Sequence, residues 1–189
     1  MDLLGEIDRR GRETPHRLAH RGGGRELSYG ELLARSDTLA AYLAATLPDD
    51  GTPVAVLGHK EPEMVVAFLA CAKAGHPFVP LDTAAPPQRI ERIVTVAQAP
   101  LTLTPDRIAE LTARDAPAPG RPPRDQDPFY IMFTSGSTGD PKGVLITRGN
   151  ITAFVEWMLA EHRPVPSGEV ILDQTTFSFD VSMMGLLPG

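Results

Sequence analysis

The chain has 189 residues, of which 42% are hydrophobic and 22% are charged, a composition that excludes wholesale disorder. Its 18 Lys and Arg residues against 24 Asp and Glu leave a formal net charge of −6, which argues against binding nucleic acid through a basic face. No stretch approaches the roughly 18 apolar residues of a membrane span, and the first residues lack a basic region followed by an apolar one.

The single cysteine, Cys71, cannot form an internal disulfide, which is consistent with a reducing compartment. We therefore expect a cytoplasmic protein without a membrane or nucleic-acid partner. Cys71 lies among small apolar residues, which favours a core thiol over a nucleophile. The five histidines show no metal-ligand spacing, so no metal site is predicted.

The first predicted elements are a hairpin and a helix. Residues 17–20 and 25–27 flank three consecutive glycines, which favours a β-hairpin. Ser28 followed by Glu31 fits a capping box, and leucines then recur at helical spacing. The pattern predicts an amphipathic helix over 28–47.

Strands and helices then alternate. Short apolar runs predict strands at 53–57, 77–81 and 101–103. Helices are predicted from Pro62 to Gly75, near 86–98 and near 105–113. Alternation at these lengths indicates the α/β class, with parallel-rich sheets covered by helices.

A proline-rich stretch, 114–128, contains five prolines and predicts a surface loop. It separates a first α/β half, 1–113, from a second half, 129–189. In the second half we expect three strands, one helix that Asn150 caps and that runs to about Glu161, and core packing by three residues of that helix. The strands are 129–133, 144–146 and 169–172, and the core residues are Phe154, Trp157 and Met158.

The most informative segment is a glycine-rich loop between two predicted strands. Its glycines allow close backbone approach to a ligand, its hydroxyls and N–H groups donate to phosphate oxygens, and its lysine adds a mobile positive charge. A Walker motif fits poorly, because Pro141 stands where its second glycine belongs. A hairpin rich in turn-forming residues is the simpler alternative. The segment is Thr134, Ser135, Gly136, Ser137, Thr138, Gly139, Asp140, Pro141, Lys142 and Gly143.

This ten-residue string resembles the phosphate-binding signature of the adenylate-forming (AMP-binding) superfamily. Three further segments are similar to that superfamily's first, second and fourth core motifs, in the right order: 27–32, 72–82 and 179–182. The resemblance spans nearly the whole chain and implies the N-terminal domain of the adenylate-forming fold, here incomplete and without the C-terminal domain.

Phe179 and Asp180 bear on the substrate class. In amino-acid-activating members this Phe-Asp motif supplies the carboxylate that holds the substrate's α-ammonium group, and a charge-assisted hydrogen bond in a dry pocket is strong. On the residue alone, capping of a helix that begins at Val181 is the alternative. The wider segment, 174–184, is most similar to the D-alanine:carrier-protein ligases, with adenylation domains of nonribosomal peptide synthesis nearly as similar. Gly185 departs from the acidic residue that is common in those relatives, which leaves the identity of the amino acid open.

The resemblance implies binding of ATP with Mg²⁺, formation of an aminoacyl-adenylate and transfer of the aminoacyl group to the phosphopantetheine thiol of a carrier protein. Thr134, the hydroxyls and glycines at 135–139, and Gly143 would bind the β- and γ-phosphates, and Lys142 would be the catalytic residue, acting by electrostatics. Two alternatives stay open: a fragment of an acyl- or aryl-acid:CoA ligase, and a non-catalytic nucleotide-binding remnant.

The family's motifs for adenine, ribose and the adenylating lysine are not found in these 189 residues. We therefore expect a fragment or a truncated gene product that does not catalyse adenylation alone.

Overall fold

The computed structural model describes residues 2–113, 116–119, 124–135, 140–162 and 170–186. It begins with helix α1 (Leu3–Glu13), for which sequence analysis assigned no element. The side chain of Asp2 accepts a hydrogen bond from the N–H of Gly5 at 3.2 Å, and Leu3 and Leu4 are buried. An N-cap aspartate before leucines was therefore a helix signal that the analysis missed.

The predicted hairpin and long helix are confirmed. Strands β1 (Leu18–Gly22) and β2 (Arg25–Ser28) pair antiparallel around two glycines with positive φ. Helix α2 (Tyr29–Thr46) follows, and its capping box is complete. The N–H of Ser28 donates to the Glu31 carboxylate at 2.8 Å, and the N–H of Glu31 donates to the Ser28 hydroxyl at 3.3 Å.

A five-stranded sheet lies at the centre of the described structure, in the order β5-β3-β4-β6-β7. Strands β3, β4, β5 and β6 run parallel, and β7 pairs antiparallel with β6, so the predicted parallel-rich α/β fold is confirmed. The strands are β3 (Val54–Gly58), β4 (Phe78–Asp82), β5 (Leu101–Leu103), β6 (Pro128–Ser135) and β7 (Pro141–Thr147).

Helices cover both faces of the sheet. Helix α3 (Pro62–Ala74) begins at the predicted proline and ends at Gly75, whose φ of 80° is in the left-handed region that glycine favours. The other helices are α4 (Pro87–Ala97), α5 (Pro105–Leu111), α6 (Arg148–His162) and α7 (Ser182–Leu186). The larger core includes residues of α1, α2, α3 and α6, and a smaller core joins α4 to the opposite sheet face.

Aromatic rings tie the two halves of the chain together inside the larger core. Phe78 stacks on Phe68 with ring centroids 4.3 Å apart, and the ring of Tyr130 lies 5.6 Å from Phe78. Phe177, from the far end of the chain, meets Phe68 edge-on at 5.4 Å. Strand β4 thus anchors β6, and helix α3 anchors the segment after α6.

Of the proline-rich stretch, the described residues 116–119 and 124–127 contain no helix or strand, as expected for a loop. The N–H of Ala116 donates to the hydroxyl of Thr38 on α2 at 3.0 Å. The division of the chain at 114–128 stays a prediction.

Three expectations for the second half are wrong. Residues 170–172 form no strand, because no described strand pairs with them. Helix α6 begins at Arg148, and Asn150 lies inside its first turn, where its side-chain oxygen accepts the N–H of Thr147 at 3.0 Å while the Thr147 hydroxyl accepts the N–H of Asn150. Trp157 is exposed and is not part of the core, whereas Phe154 packs against the core.

Candidate functional site

The glycine-rich loop connects the two strands of the β6–β7 hairpin. Thr134 pairs with Lys142 and Ser135 pairs with Pro141, so the hairpin brings the two ends of the loop together. Gly136, Ser137, Thr138 and Gly139 lie outside the described residues. Strand β6 is parallel to β4, and the loop therefore leaves the sheet at the carboxyl edge of its parallel strands, where ligands bind in open α/β sheets.

Lys142 and Thr134 face solvent beside the loop. The Thr134 hydroxyl donates to the carbonyl oxygen of Lys142 at 3.5 Å, and the backbone of Lys142 is fixed in the ladder. The lysine side chain is thus attached to a rigid strand while its ammonium group stays accessible to an anion.

Two contacts fix the hairpin next to the loop. Asp140 forms an ion pair with Arg92 of α4. A Cβ placed on Gly143 would lie 2.9 Å from the Cγ2 of Ile131 and 3.0 Å from the Cζ of Phe133. Close packing therefore accounts for the glycine at 143, which sequence analysis had assigned to phosphate binding.

Asp180 lies at a cavity of about 260 Å³ near the base of the same hairpin. The cavity lies between β6, β7, α6 and the turn before α7. Its lining combines apolar side chains with the Asp180 carboxylate, one phenol and one amide: Tyr130, Ile146, Asn150, Ile151, Phe154, Asp180, Val181 and Met183. A small molecule with an apolar body and a cationic group suits such a lining.

The phenol of Tyr130, which lines this cavity, has a raised pKa. Burial raises the pKa of its phenol above the ordinary value, and the negative charge of Asp180 raises it further. Tyr130 is therefore a neutral hydrogen-bonding group at neutral pH. Tyr130 was part of a predicted buried strand, and sequence analysis gave it no role at the site.

Asp180 also interacts with the turn that presents it. Its carboxylate accepts the N–H of Val181 at 2.8 Å, while its carbonyl accepts the N–H of Met183 at 2.9 Å. The helix α7 begins at Ser182, whose hydroxyl donates to the carbonyl oxygen of Phe179 at 2.6 Å. The predicted helix start at Val181 is therefore one residue early, and the Asp180 side chain bonds to the adjacent N–H of Val181 while it also lines the cavity. The Phe179 ring is exposed and does not line the cavity.

The loop and Asp180 lie towards opposite ends of one hairpin. Lys142 pairs with Thr134 near the tip, whereas Ile146, at the cavity, pairs with Tyr130. Four residues along a strand correspond to roughly 13 Å. The two predicted sites are therefore separate in space.

A lysine anchors the segment that leads to Asp180. The ammonium group of Lys60 lies 2.8 Å from the Asp173 carboxylate and 4.6 Å from the ring centroid of Phe177. Gly185 packs on the same carboxylate, because a Cβ there would lie 3.1 Å from the Cβ of Asp173. A larger side chain at 185 would crowd Asp173, and an acidic one would also meet a like charge.

Sequence analysis missed a histidine–aspartate pair at the carboxyl edge of the sheet. The Nδ1 of His59, directly after β3, lies 2.9 Å from the Oδ2 of Asp82, the last residue of β4. Asp82 is buried and also accepts the N–H of Ala84 at 2.7 Å, whereas His59 is exposed. The available signal was position, since both residues stand where adjacent parallel strands end.

Neither a metal-binding cluster nor a membrane-spanning helix occurs among the described residues. No three His, Cys, Asp or Glu side chains within them lie close enough together to hold a metal ion. None of the helices in the described ranges is long and apolar enough to span a membrane.

Comparison with known proteins gives a family match over nearly the whole chain. The family model described as AMP-binding enzyme matches residues 7–122 and 105–189. The D-alanine–D-alanyl carrier protein ligase of Bacillus licheniformis is 40% identical over 204 aligned positions. The alignment covers 100% of this chain and 40% of that ligase, so the chain spans about two fifths of the length of the curated relatives it matches.

Two solved structures have similar folds. The N-terminal subdomain of NpsA from Klebsiella oxytoca, in complex with 3-hydroxyanthranilyl-AMSN, superimposes with a TM-score of 0.78 at 28% identity, covering 99% of this chain and 49% of that one. The nonribosomal peptide synthetase FmoA3 in its AMPPNP-bound form gives a TM-score of 0.84 at 25% identity, covering 98% of this chain and 21% of that one.

Proposed function

The chain belongs to the AMP-binding enzyme family, and from this membership we propose that it takes part in the ATP-dependent activation of an amino acid and its transfer to a carrier protein. The observation that carries the proposal is the β6–β7 hairpin, which has the glycine-rich loop at its tip and the Asp180 cavity at its base. One element would thus place a nucleotide and an amino acid in line.

The nucleotide would bind at the tip. Lys142 and the hydroxyls and N–H groups of 134–139 would hold the β- and γ-phosphates of ATP, with Mg²⁺ arriving on the nucleotide. The AMPPNP-bound state of FmoA3 supports a nucleoside triphosphate as the ligand of this fold. The exposed ammonium group of Lys142 would offset the charge that develops on departing pyrophosphate, without forming a covalent bond.

The amino acid would bind at the base. The Asp180 carboxylate would hold the α-ammonium group, and the neutral Tyr130 phenol beside it would not neutralise that negative charge. The substrate carboxylate would then point towards the tip. Its oxygen attacks the α-phosphorus of ATP, the bond to the pyrophosphate breaks, and an aminoacyl-adenylate forms.

The carrier protein is proposed from the relatives. The name of the Bacillus licheniformis ligase includes a D-alanyl carrier protein, which supports D-alanine as the substrate and a carrier protein as the acceptor. The accepting group would be the phosphopantetheine thiol that the family resemblance implies. Attack of the sulfur on the acyl carbon would form a thioester and release AMP.

An aryl acid is a second candidate substrate. The NpsA subdomain was solved with a 3-hydroxyanthranilyl ligand, and the cavity beside Asp180 is lined mainly by apolar side chains. An aryl acid such as 3-hydroxyanthranilate has no α-ammonium group, and its aryl amine is uncharged at neutral pH. It would therefore not need the Asp180 carboxylate, so that residue discriminates between the two substrate classes.

Nucleotide binding is tested on the purified chain. Calorimetry with Mg·ATP should give measurable affinity, and Lys142→Ala should weaken it roughly tenfold, since a charge-assisted contact to phosphate contributes about 1.5 kcal/mol. Arg107→Ala is the matched control, because it removes an exposed cation on α5 that pairs with Glu110. Equal affinity in Lys142→Ala and the parent chain would remove the phosphate assignment.

Substrate choice is tested by ATP–pyrophosphate exchange with D-alanine, L-alanine and 3-hydroxyanthranilate. The assay uses the chain alone and the chain co-expressed with the part of the Bacillus licheniformis ligase that lies beyond the match. Asp180→Ala should lower amino-acid-dependent exchange by roughly 10- to 100-fold, the loss of one charged hydrogen bond. Exchange that is unchanged by Asp180→Ala would favour the aryl-acid candidate.

A further inference from the structure

Lys142 lies on the same face of the β6–β7 hairpin as the Asp180 cavity. Residues that pair across two strands place their side chains on one face of the sheet. Thr134 pairs with Lys142, and Tyr130, four residues before Thr134 on β6, belongs to the larger core and lines the cavity. Side chains an even number of positions apart on a strand share a face, so Thr134, Tyr130 and Lys142 point to the same side.

Helix α4 covers the opposite face of the hairpin. It contributes to the smaller core, against which Ile131 and Phe133 of β6 pack. Because successive side chains of a strand alternate between faces, these two residues point away from the face of Tyr130 and Lys142. Arg92, on α4, therefore reaches the hairpin from the side opposite to Lys142.

Asp140 lies within reach of both cations. Its carboxylate forms an ion pair with Arg92, and the side chains of Asp140 and Arg92 are 59% and 63% exposed. Lys142 follows Asp140 by two residues, and two residues of chain span at most roughly 7 Å, a gap that a lysine side chain can bridge. The ion pair with Arg92 thus holds the carboxylate on the α4 side of the hairpin and away from Lys142.

A carboxylate released at position 140 would oppose the binding of a polyphosphate in two ways. It would attract the ammonium group of Lys142 and so compete with phosphate for that cation. It would also repel the phosphates themselves, because exposed charges interact over the roughly 8–10 Å beyond which salt screens them. Pairing with Arg92 offsets the charge of Asp140 and removes both effects.

We propose that Arg92 is a positioning residue for nucleotide binding, which acts by holding the Asp140 carboxylate away from Lys142 and so leaves the lysine available to the phosphates. This inference rests on the proposed binding of a nucleotide at the glycine-rich loop. Arg92 acts here through Asp140 and without touching the nucleotide. A direct contact between Arg92 and a phosphate is the alternative, and the two roles differ in their response to neutralisation of Asp140.

The test is calorimetry with Mg·ATP on the full chain, comparing the parent with Arg92→Ala, Asp140→Asn and the double variant. Arg92→Ala should weaken binding roughly threefold, the scale of one exposed ion pair. Asp140→Asn alone should bind at least as tightly as the parent, and adding it to Arg92→Ala should restore the affinity. Arg92→Lys, which keeps the charge, should bind like the parent.

Arg107→Ala is the matched control. It also removes one positive charge from an exposed ion pair, with Glu110 on α5, and should leave the affinity for Mg·ATP unchanged. The loss caused by Arg92→Ala should shrink as the salt concentration rises from about 0.05 M to about 0.5 M, because salt screens exposed charges. A purely structural role of Arg92 would lower the melting temperature and would not be reversed by Asp140→Asn.

Three outcomes overturn the inference. These are equal affinities of Arg92→Ala and Arg107→Ala, a double variant that stays as weak as Arg92→Ala, and a loss that is the same at both salt concentrations. If Lys142→Ala weakens binding and Arg92→Ala does not, the role of Arg92 is wrong and the proposed function stands. A parent chain that does not bind Mg·ATP contradicts both.

Discussion

Residues 2–113 and the described residues from 124 onwards differ in how they treat apolar side chains. In the first region the helices and strands close around their cores, and α3 is buried along almost its whole length. In the second region the hairpin and α6 leave large apolar side chains exposed, among them Val144 and Trp157. The first region is therefore the closed part of the described structure, and the second contains the residues that we propose to contact ligands.

The charged residues follow the same division. In the first region Glu63 is buried and pairs with Arg25 at 2.7 Å and Arg35 at 3.0 Å, linking α3 to β2 and α2. In the second region Lys142 and Asp180, the residues proposed to contact ligands, are exposed. Charges that are paired inside a fold fix its geometry, whereas exposed charges remain free to bind.

The largest expected effect compares two phenylalanines. Phe78→Ala should lower the free energy of unfolding by about 3–5 kcal/mol, because a buried ring that contacts Phe68 and Tyr130 would leave a cavity. Phe179→Ala should change it by less than about 0.5 kcal/mol, since that ring is 62% exposed. Urea denaturation measures both. A similar loss for the two variants would contradict the division into a closed and an open region.

The next comparison uses two lysines. Lys73 is buried, lies 2.8 Å from a carboxylate oxygen of Asp8, pairs with Asp37 and donates to the Ser36 hydroxyl at 3.1 Å, so it joins α1, α2 and α3. Lys73→Met should cost about 2 kcal/mol of stability because it leaves two carboxylates without their cation. Lys142→Ala should leave the melting temperature unchanged. A Lys142 variant that melts far below the parent would mean that this lysine has a structural role.

Two glycines give a smaller effect. A Cβ on Gly22 would overlap the carbonyl oxygen of Lys60, which belongs to the backbone and cannot easily move, so Gly22→Ala should cost roughly 2 kcal/mol. Gly143→Ala meets only side chains, Ile131 and Phe133, and should cost about 1 kcal/mol. Thermal unfolding at several scan rates measures both variants. The reverse order would indicate that the β6–β7 hairpin is the more rigid region.

The smallest effect concerns pH and the α2 capping box. Hydrogen bonds from the N–H and then the hydroxyl of Ser28 lower the pKa of Glu31 below its usual 4.5. Because the folded state holds the carboxylate at a lower pKa, this stabilisation is present above about pH 4.5 and is lost as the pH falls through the folded pKa. Glu31→Gln should reduce stability at neutral pH by at most about 1 kcal/mol, with the difference shrinking in acid. A constant difference between pH 7 and about pH 3 would show that the charge of Glu31 contributes nothing.

Cys71 provides an independent probe of the closed region. Its thiol is fully buried, and burial raises its pKa well above the ordinary value, which disfavours the reactive thiolate. Cys71 should react with a thiol reagent only after denaturant opens the first region. Trp157 fluorescence reports on the second region. We expect it to change at a lower urea concentration than the concentration at which Cys71 becomes reactive, which would show that the second region opens first.

Much of the fold followed from local patterns. The capping box at Ser28, Pro62 at the start of α3, Gly75 at its end and the alternation of strands and helices are determined by short-range geometry, which the sequence displays directly. The errors fell where tertiary contacts decide. Residues 170–172 have the composition of a strand but no described partner, and Trp157 has the helical spacing of a core residue but no covering layer.

For the candidate site too, some features could be read from the sequence and others only from the tertiary structure. The loop sequence and the Asp180 motif identified the family, because residue types at fixed spacing are sufficient for that resemblance. Only the structure showed that the two predicted sites lie towards opposite ends of one hairpin, that Gly143 is closely packed, and that Tyr130 lies near Asp180 and His59 near Asp82. These relations join residues that are distant in sequence, and no local pattern encodes which distant side chains meet when strands pair and helices pack.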